Sequence, residues 1–101
     1  MLDYERHRQT ITVRLKNELD HRAAQQMRGE LDALLQDASI RRLVLDLEKL
    51  SFMDSSGIGF IIGRYKLMAR RGGSVAVMNA DARMDRIFRM AGLYELIERL
   101  A

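Results

Sequence analysis

The sequence predicts a single α/β domain: a mixed sheet of four or five strands with three or four helices. Short apolar segments rich in β-branched residues alternate with amphipathic helical segments. The first two strands follow each other directly, which predicts an antiparallel hairpin, whereas helices separate the later strands, which predicts parallel crossovers. Since 101 residues suit one packed core, we expect one domain over 1–101.

The first part of the chain predicts a hairpin followed by a helix. Residues 2–8 alternate weakly between apolar and polar side chains and residues 10–15 alternate well. Asp20 is a suitable N-cap for a helix that runs to about residue 37, and the segment before it, with Glu18, is expected to be a loop. The apolar face of this helix contains Ala24, Met27, Leu31, Leu34 and Leu35.

The segment Leu43–Leu47 is predicted to be a buried strand that leads through a loop into a second helix. From Ser55 onward, apolar residues recur at the spacing of one helical face, at Ile58, Ile61, Ile62, Tyr65 and Ala69. Gly72–Gly73 should end this helix, because Gly adopts the left-handed C-cap conformation without steric cost. Asp54–Gly57 thus lies at a helix N-terminus, where a phosphate on a serine would meet unpaired amides and the positive end of the helix dipole.

The rest of the chain predicts a fourth strand over Ser74–Met78, a third helix and a last edge strand around Ile97. The third helix is expected to stop at Gly92. The residues expected on its inward face are Met84, Ile87, Phe88 and Ala91. Loops that follow parallel strands share one edge of a sheet. We therefore expect Asp20, Ser55 and Asn79 to lie on one surface.

Composition and motif spacing exclude several functional classes. The chain has no Cys, which excludes disulfides and thiol catalysis. Its 17 basic and 14 acidic residues are interspersed, without a basic stripe, so we expect no nucleic-acid binding. It shows neither a signal peptide nor a membrane-spanning segment, so a cytoplasmic protein is expected. Gly57, Gly59 and Gly63 do not have dinucleotide-motif spacing, and we expect them to let the second helix approach the sheet closely.

Several segments carry a family resemblance that spans nearly the whole chain. Leu50–Gly59, followed by Gly63–Lys66, resembles the signature of the bacterial anti-sigma factor antagonists, which are STAS domains, and most closely that of their sporulation branch. Glu18–His21, Ile40–Leu45 and Met90–Leu93 resemble the same family. The resemblance implies a protein that, when unphosphorylated, binds an anti-sigma factor serine kinase and so frees a sporulation sigma factor. Phosphorylation would end this binding, and a PP2C-type serine phosphatase would restore it.

The resemblance also implies the residues of the site. The phosphorylated residue would be the Ser directly after Asp, which is Ser55, with Ser56 as the alternative. Partner-binding residues would be Glu18, Asp20, His21, Asp54, Ser55, Ser56, Gly57 and Ile58. Asn17 stands where the family usually has Gly, and Asn tolerates a positive φ better than most residues. ATP and its metal would belong to the partner kinase, so we expect no cofactor or metal in this chain, which should be a monomer when free.

Two alternatives come from other classes of function. A Ser at a strand-to-helix turn is similar to the nucleophile of a serine hydrolase, but Gly is absent two positions before either Ser and no His follows Ser55. For His21, contact with solvent or a partner is favoured over a role as catalytic base. Another STAS role, as a general-stress antagonist or a nucleotide-binding module, shares much of the pattern.

Overall fold

The computed structural model describes residues 2–100 and contains one five-stranded sheet with strand order β1-β2-β3-β4-β5. The strands are β1 (Asp3–His7), β2 (Thr10–Leu19), β3 (Arg42–Met53), β4 (Ser74–Met78) and β5 (Glu98–Arg99). The helices are α1 (His21–Leu34), α2 (Ser55–Ala69) and α3 (Ala82–Met90), and Leu93–Glu95 forms a short 3-10 helix. β1 is antiparallel to β2, and the other neighbouring strands are parallel. The predicted α/β class, hairpin and crossovers are confirmed.

The two central strands extend beyond their predicted ends. β2 continues to Leu19 and β3 continues to Met53, so the two segments that were predicted as loops pair with each other instead. Two register shifts interrupt this pairing, and Asn17 lies at one of them with a φ of 64°. Asn at this position therefore adopts the left-handed conformation that the irregularity requires.

Apolar side chains of the central strands and the helices form the core. The buried residues of β2 alternate along the strand, at Ile11, Val13 and Leu15. The predicted face of α1 is confirmed, because Ala24, Leu31 and Leu35 are buried while Met27 and Leu34 pack against the core. The helix itself ends at Leu34 rather than near residue 37.

The buried face of α2 is centred differently from the predicted one. Its buried residues are Gly57, Phe60, Ile61, Arg64 and Met68. Of the predicted face, Ile58, Ile62 and Tyr65 are only partly buried and Ala69 is exposed. α2 contacts α1 as well as β3 and β4. Because both α1 and the sheet cover it, α2 buries more than one apolar stripe, and a charged residue lies within that buried face.

Left-handed glycines end two helical segments, as predicted. Gly72 follows α2 with a φ of 73°, and Gly92 follows α3 with a φ of 70°. Gly73 does not have a positive φ; it is restricted by space, since a Cβ there would lie 2.6 Å from the carbonyl oxygen of Arg41.

The last third of the chain differs from its prediction in one position. In α3, Met84 and Phe88 are buried and Ile87 is half-buried, but Ala91 is exposed because α3 ends at Met90. The predicted edge strand is present as β5, directly after the buried Ile97. Within residues 2–100, no helix is both long and apolar enough to cross a membrane.

Candidate functional site

The ends of β2 and β3 place the N-termini of α1 and α2 side by side. Leu19 and Met53 pair in register, and an aspartate follows each of them. Asp20 caps α1 by accepting a hydrogen bond from the Ala23 amide at 2.9 Å. Asp54 caps α2 by accepting one from the Ser56 amide at 2.8 Å. Both helices therefore begin at one edge of the sheet, with their positive dipole ends neutralised by carboxylates.

Gly57 determines how closely α2 approaches these strand ends. A Cβ on Gly57 would overlap Cγ of Met53, and it would lie 2.9 Å from Sδ of the same residue and 3.3 Å from Cδ2 of Leu19. The predicted close approach of the helix is confirmed at this glycine. Gly57 was predicted to bind the partner, but it is buried. It would therefore contribute to binding by positioning the exposed residues beside it.

Ser55 is the first residue of α2 and is exposed, whereas Ser56 is half-buried. The amides that follow Ser55 already have acceptors on Asp54. The Ser56 amide donates to the Asp54 carboxylate, and the amides of Gly57 and Ile58 donate to the Asp54 carbonyl oxygen at 3.0 and 3.4 Å. The amides of residues 56–58 are therefore already paired, so a phosphate on Ser55 would compete with Asp54 for them instead of finding them free as predicted. A phosphate on Ser55 would instead be attached directly beside a carboxylate.

The surface around Ser55 is acidic and includes an exposed aromatic side chain. Glu18 is exposed and lies within β2, not in a loop as predicted, and it pairs in register with Phe52 of β3. Phe52 is 37% exposed although it is apolar. Asp20 and Asp54 are both half-buried at the neighbouring helix starts. We call Glu18, Asp20, Phe52, Asp54 and Ser55 the Ser55 edge.

Two further predicted site residues differ in their exposure. His21 is exposed as the first residue of α1. Ile58 is half-buried and packs against the core. Sequence reasoning missed Phe52, and the available signal was a bulky apolar residue two positions before the helix cap in a segment assigned to a loop.

Asn79 does not join this edge. Its side-chain amide donates to Oδ1 of Asp46 at 2.9 Å, and its φ is 61°. β4 ends opposite Asp46, seven residues before β3 ends at Met53. The predicted common surface is therefore wrong for Asn79, because parallel strands share an edge only where they end at the same level.

A groove of about 240 Å³ opens between α1 and α2 beside the Ser55 edge. Gly59 and Gly63 line it, and a Cβ on either would have no atom of residues 2–100 within 4 Å. The prediction that these two glycines allow close helix–sheet contact is therefore wrong. Both glycines widen the groove, whose polar lining includes His21, Arg28, Ser56 and Arg64.

Comparison with known proteins agrees with this architecture. The profile of the STAS domain family matches residues 1–101. The anti-sigma F factor antagonist of Paenibacillus polymyxa is 40% identical over 96 residues, which cover 95% of this chain and 82% of the relative. The anti-sigma-B factor antagonist of Bacillus subtilis (strain 168) is 30% identical over 97 residues, which cover 96% and 87%.

Two solved structures have the same fold. The anti-sigma factor antagonist SpoIIAA in its unphosphorylated form matches with a TM-score of 0.81 at 27% identity, covering 100% of this chain and 88% of that one. SpoIIAA in the phosphorylated form, a Bacillus cell fate determinant, matches with a TM-score of 0.79 at 29% identity, covering 100% and 92%.

Proposed function

Because the chain belongs to the STAS domain family, we propose that it is an anti-sigma factor antagonist whose binding is switched off by phosphorylation of Ser55. The unphosphorylated chain binds an anti-sigma factor serine kinase and frees a sporulation sigma factor. ATP and its metal ion belong to that kinase, and a PP2C-type serine phosphatase restores the unmodified chain. The chain acts in the cytoplasm and is a monomer when free.

The observation that carries this proposal is the position of Ser55, which is exposed at the start of α2 just after the end of β3. A kinase needs an accessible hydroxyl, and Ser55 is exposed whereas Ser56 is half-buried. This difference supports Ser55 over Ser56 as the modified residue. The SpoIIAA structures exist in unphosphorylated and phosphorylated forms, and this supports a phosphorylation switch in a relative that has the same fold.

Charge explains how one phosphate would end docking. Glu18, Asp20 and Asp54 already make the Ser55 edge acidic. A phosphate adds about −1.5 to −2 charges at neutral pH. Since Asp54 already accepts from the amides of residues 56–58, these amides offer little compensation for that added charge. A partner surface fitted to a small neutral hydroxyl would then meet both added bulk and added negative charge.

The same hydrogen bonds favour a regulatory role over a serine hydrolase. A hydrolase needs backbone amides that are free to stabilise the oxyanion next to its nucleophile. Here the amides of Ser56, Gly57 and Ile58 are all bonded to Asp54. Ser55 is thus better suited to be the substrate of another protein's catalysis than a nucleophile.

Sequence identity favours the sporulation branch over the general-stress branch. The chain is 40% identical to an anti-sigma F factor antagonist and 30% identical to an anti-sigma-B factor antagonist. A gene neighbourhood with an anti-sigma kinase and a sporulation sigma factor would agree with this choice. A neighbourhood with stress-response regulators would contradict it.

Incubation with the cognate kinase and ATP, followed by peptide mass spectrometry, tests the proposal. We expect one phosphate on Ser55, none in Ser55→Ala and unchanged modification in the matched control Ser56→Ala. Ser55→Ala should still bind the anti-sigma factor, whereas Ser55→Asp should bind more weakly. A phosphate found on Ser56 alone, or an acyl adduct formed with a serine-reactive probe, would contradict the proposal.

A further inference from the structure

Arg64 is a buried arginine that the proposed switch does not use. It lies in the groove between α1 and α2 and is only 6% exposed. Its Nε lies 2.9 Å from Oδ1 of Asp32, without hydrogen-bond geometry, and its guanidinium carbon lies 5.2 Å from the centroid of the Phe60 ring. Its buried Nη1 has no hydrogen-bond partner among residues 2–100. Because a guanidinium carries five N–H donors, Asp32 leaves much of this group unsatisfied.

The charges around Arg64 leave the groove positive. Burial lowers the pKa of Arg64, the carboxylate of Asp32 raises it, and the nearby Arg28 lowers it again. Arg28 and Arg64 both line the groove, and Arg64 is paired with the carboxylate of Asp32. A buried guanidinium with few partners is unfavourable, and a negatively charged oxygen in the groove that Arg64 lines would stabilise its charge.

The groove also has space that residues 2–100 do not fill. Gly59 and Gly63 lie within α2, where Ala would give a more stable helix, yet a Cβ on either would meet no described atom within 4 Å. The volume of about 240 Å³ corresponds to roughly eight water molecules at about 30 Å³ each, enough for an oxyanion and part of the group that carries it.

The geometry points to a binding site for an oxyanion, a carboxylate or a phosphate group, between Arg28 and Arg64 in this groove. A planar guanidinium matches two oxygens of such a group, and hydrogen bonds between charged groups are stronger than neutral ones. Ser56 and His21 line the same groove and connect it to the Ser55 edge. The oxyanion can therefore be a free small molecule or an acidic side chain of a docked protein.

Titration of the full chain with sodium phosphate, and separately with sodium acetate, tests the site by NMR at constant ionic strength. The signals to follow are the Arg64 Nε–H and the Phe60 amide. We expect saturable shifts with at least one of the two anions. Arg28→Gln should weaken binding about fivefold or more. Shifts that rise linearly without saturation for both anions would overturn the proposal.

A glycine pair provides a variant that narrows the groove without disturbing the core. The double substitution Gly59→Ala/Gly63→Ala should weaken anion binding while the protein remains folded. Gly29→Ala is the matched control, because Gly29 is also helical and also has no atom within 4 Å of an added Cβ, but it does not line the groove. Equal anion affinity in the double variant and in wild type would overturn the site.

Binding to the cognate anti-sigma factor then identifies the source of the oxyanion. If the double variant binds that protein more weakly than Gly29→Ala does, an acidic side chain of the partner occupies the site. If both bind equally while the free chain still binds anions saturably, the ligand is a free anion. Either outcome supports the site and is independent of whether Ser55 is phosphorylated.

Discussion

Substitution of four helical glycines by Ala should change the free energy of unfolding in opposite directions, depending on the position. The sign of the change tests how α2 is positioned. Gly29, Gly59 and Gly63 have open space around an added Cβ, whereas Gly57 does not. Where there is space, Gly→Ala in a helix raises the free energy of unfolding by about 0.5–1 kcal/mol. Gly57→Ala would gain the same amount but would press a methyl group into Met53 and Leu19.

The change in the free energy of unfolding that we expect for Gly57→Ala follows from these opposing effects. Overpacking of a well-packed site costs about 1–3 kcal/mol, which exceeds the helix gain. We expect Gly57→Ala to lower the free energy of unfolding by about 1–2 kcal/mol in total. For a domain of this size the melting temperature should fall by about 4–8 °C for each kcal/mol.

Urea unfolding of the four single variants at pH 7, followed by circular dichroism, measures these changes. The slope of free energy against urea should stay constant, so that midpoint shifts report stability. Gly29→Ala is the control for helix propensity alone. If Gly57→Ala stabilised the protein as much as Gly59→Ala does, the close contact between the first turn of α2 and the strand ends would be refuted.

Three further predictions concern caps and charges. Asp54→Ala should lower the free energy of unfolding by about 1 kcal/mol because the α2 cap is lost. Asp54→Asn keeps an acceptor, so its free energy of unfolding should lie closer to that of wild type. Urea unfolding measures both variants. Burial, and then a hydrogen bond to Asp85, raises the pKa of Tyr94 to about 12. Protonated Tyr94 therefore contributes stability that is complete below about pH 10 and is lost as the pH rises towards 12. Wild type should lose stability more steeply than Tyr94→Phe in this window, and an absorbance titration should show that the tyrosine missing from Tyr94→Phe ionises near pH 12. Asp32→Ala should lower the free energy of unfolding by about 1–3 kcal/mol, since Arg64 is buried and would lose its counter-charge; a change within experimental error would contradict that role for Asp32.

Features with a local chemical cause could be predicted from the sequence. Asp20 caps α1 because its short carboxylate reaches a nearby amide, and Gly72 and Gly92 take left-handed conformations that most residues avoid. The positive φ of Asn17 follows from the same kind of local preference. The order of strands and helices could also be predicted, because the spacing of apolar residues in a strand differs from their spacing in a helix.

Features that depend on how far the pairing between distant segments extends were not predicted. The polar ends of β2 and β3 are strands only because they pair with each other across two register shifts, and alternation within either segment does not reveal this. The exposed Phe52 of the Ser55 edge was missed for the same reason. Asn79 was misplaced because β4 is shorter than β3 at that edge, which depends on where each strand ends in space.

The α1–α2 contact explains the remaining errors. The pattern of α2 indicates one apolar stripe, but two neighbouring layers cover this helix and bury Arg64 between them. Gly59 and Gly63 resemble packing glycines in the sequence, and only the position of α1 shows that they face a groove. Charge burial and empty space arise from tertiary packing, so neither is visible in a single sequence.

The affinity of the cognate anti-sigma factor for this chain, measured by calorimetry with and without a phosphate on Ser55, tests the central claim most directly. The unmodified chain should bind, and the phosphorylated chain should bind at least about a hundredfold more weakly, because a partner surface fitted to a small neutral hydroxyl would meet added bulk and added negative charge. Circular dichroism should show the same fold for both forms. Equal affinities for the two forms would contradict the account.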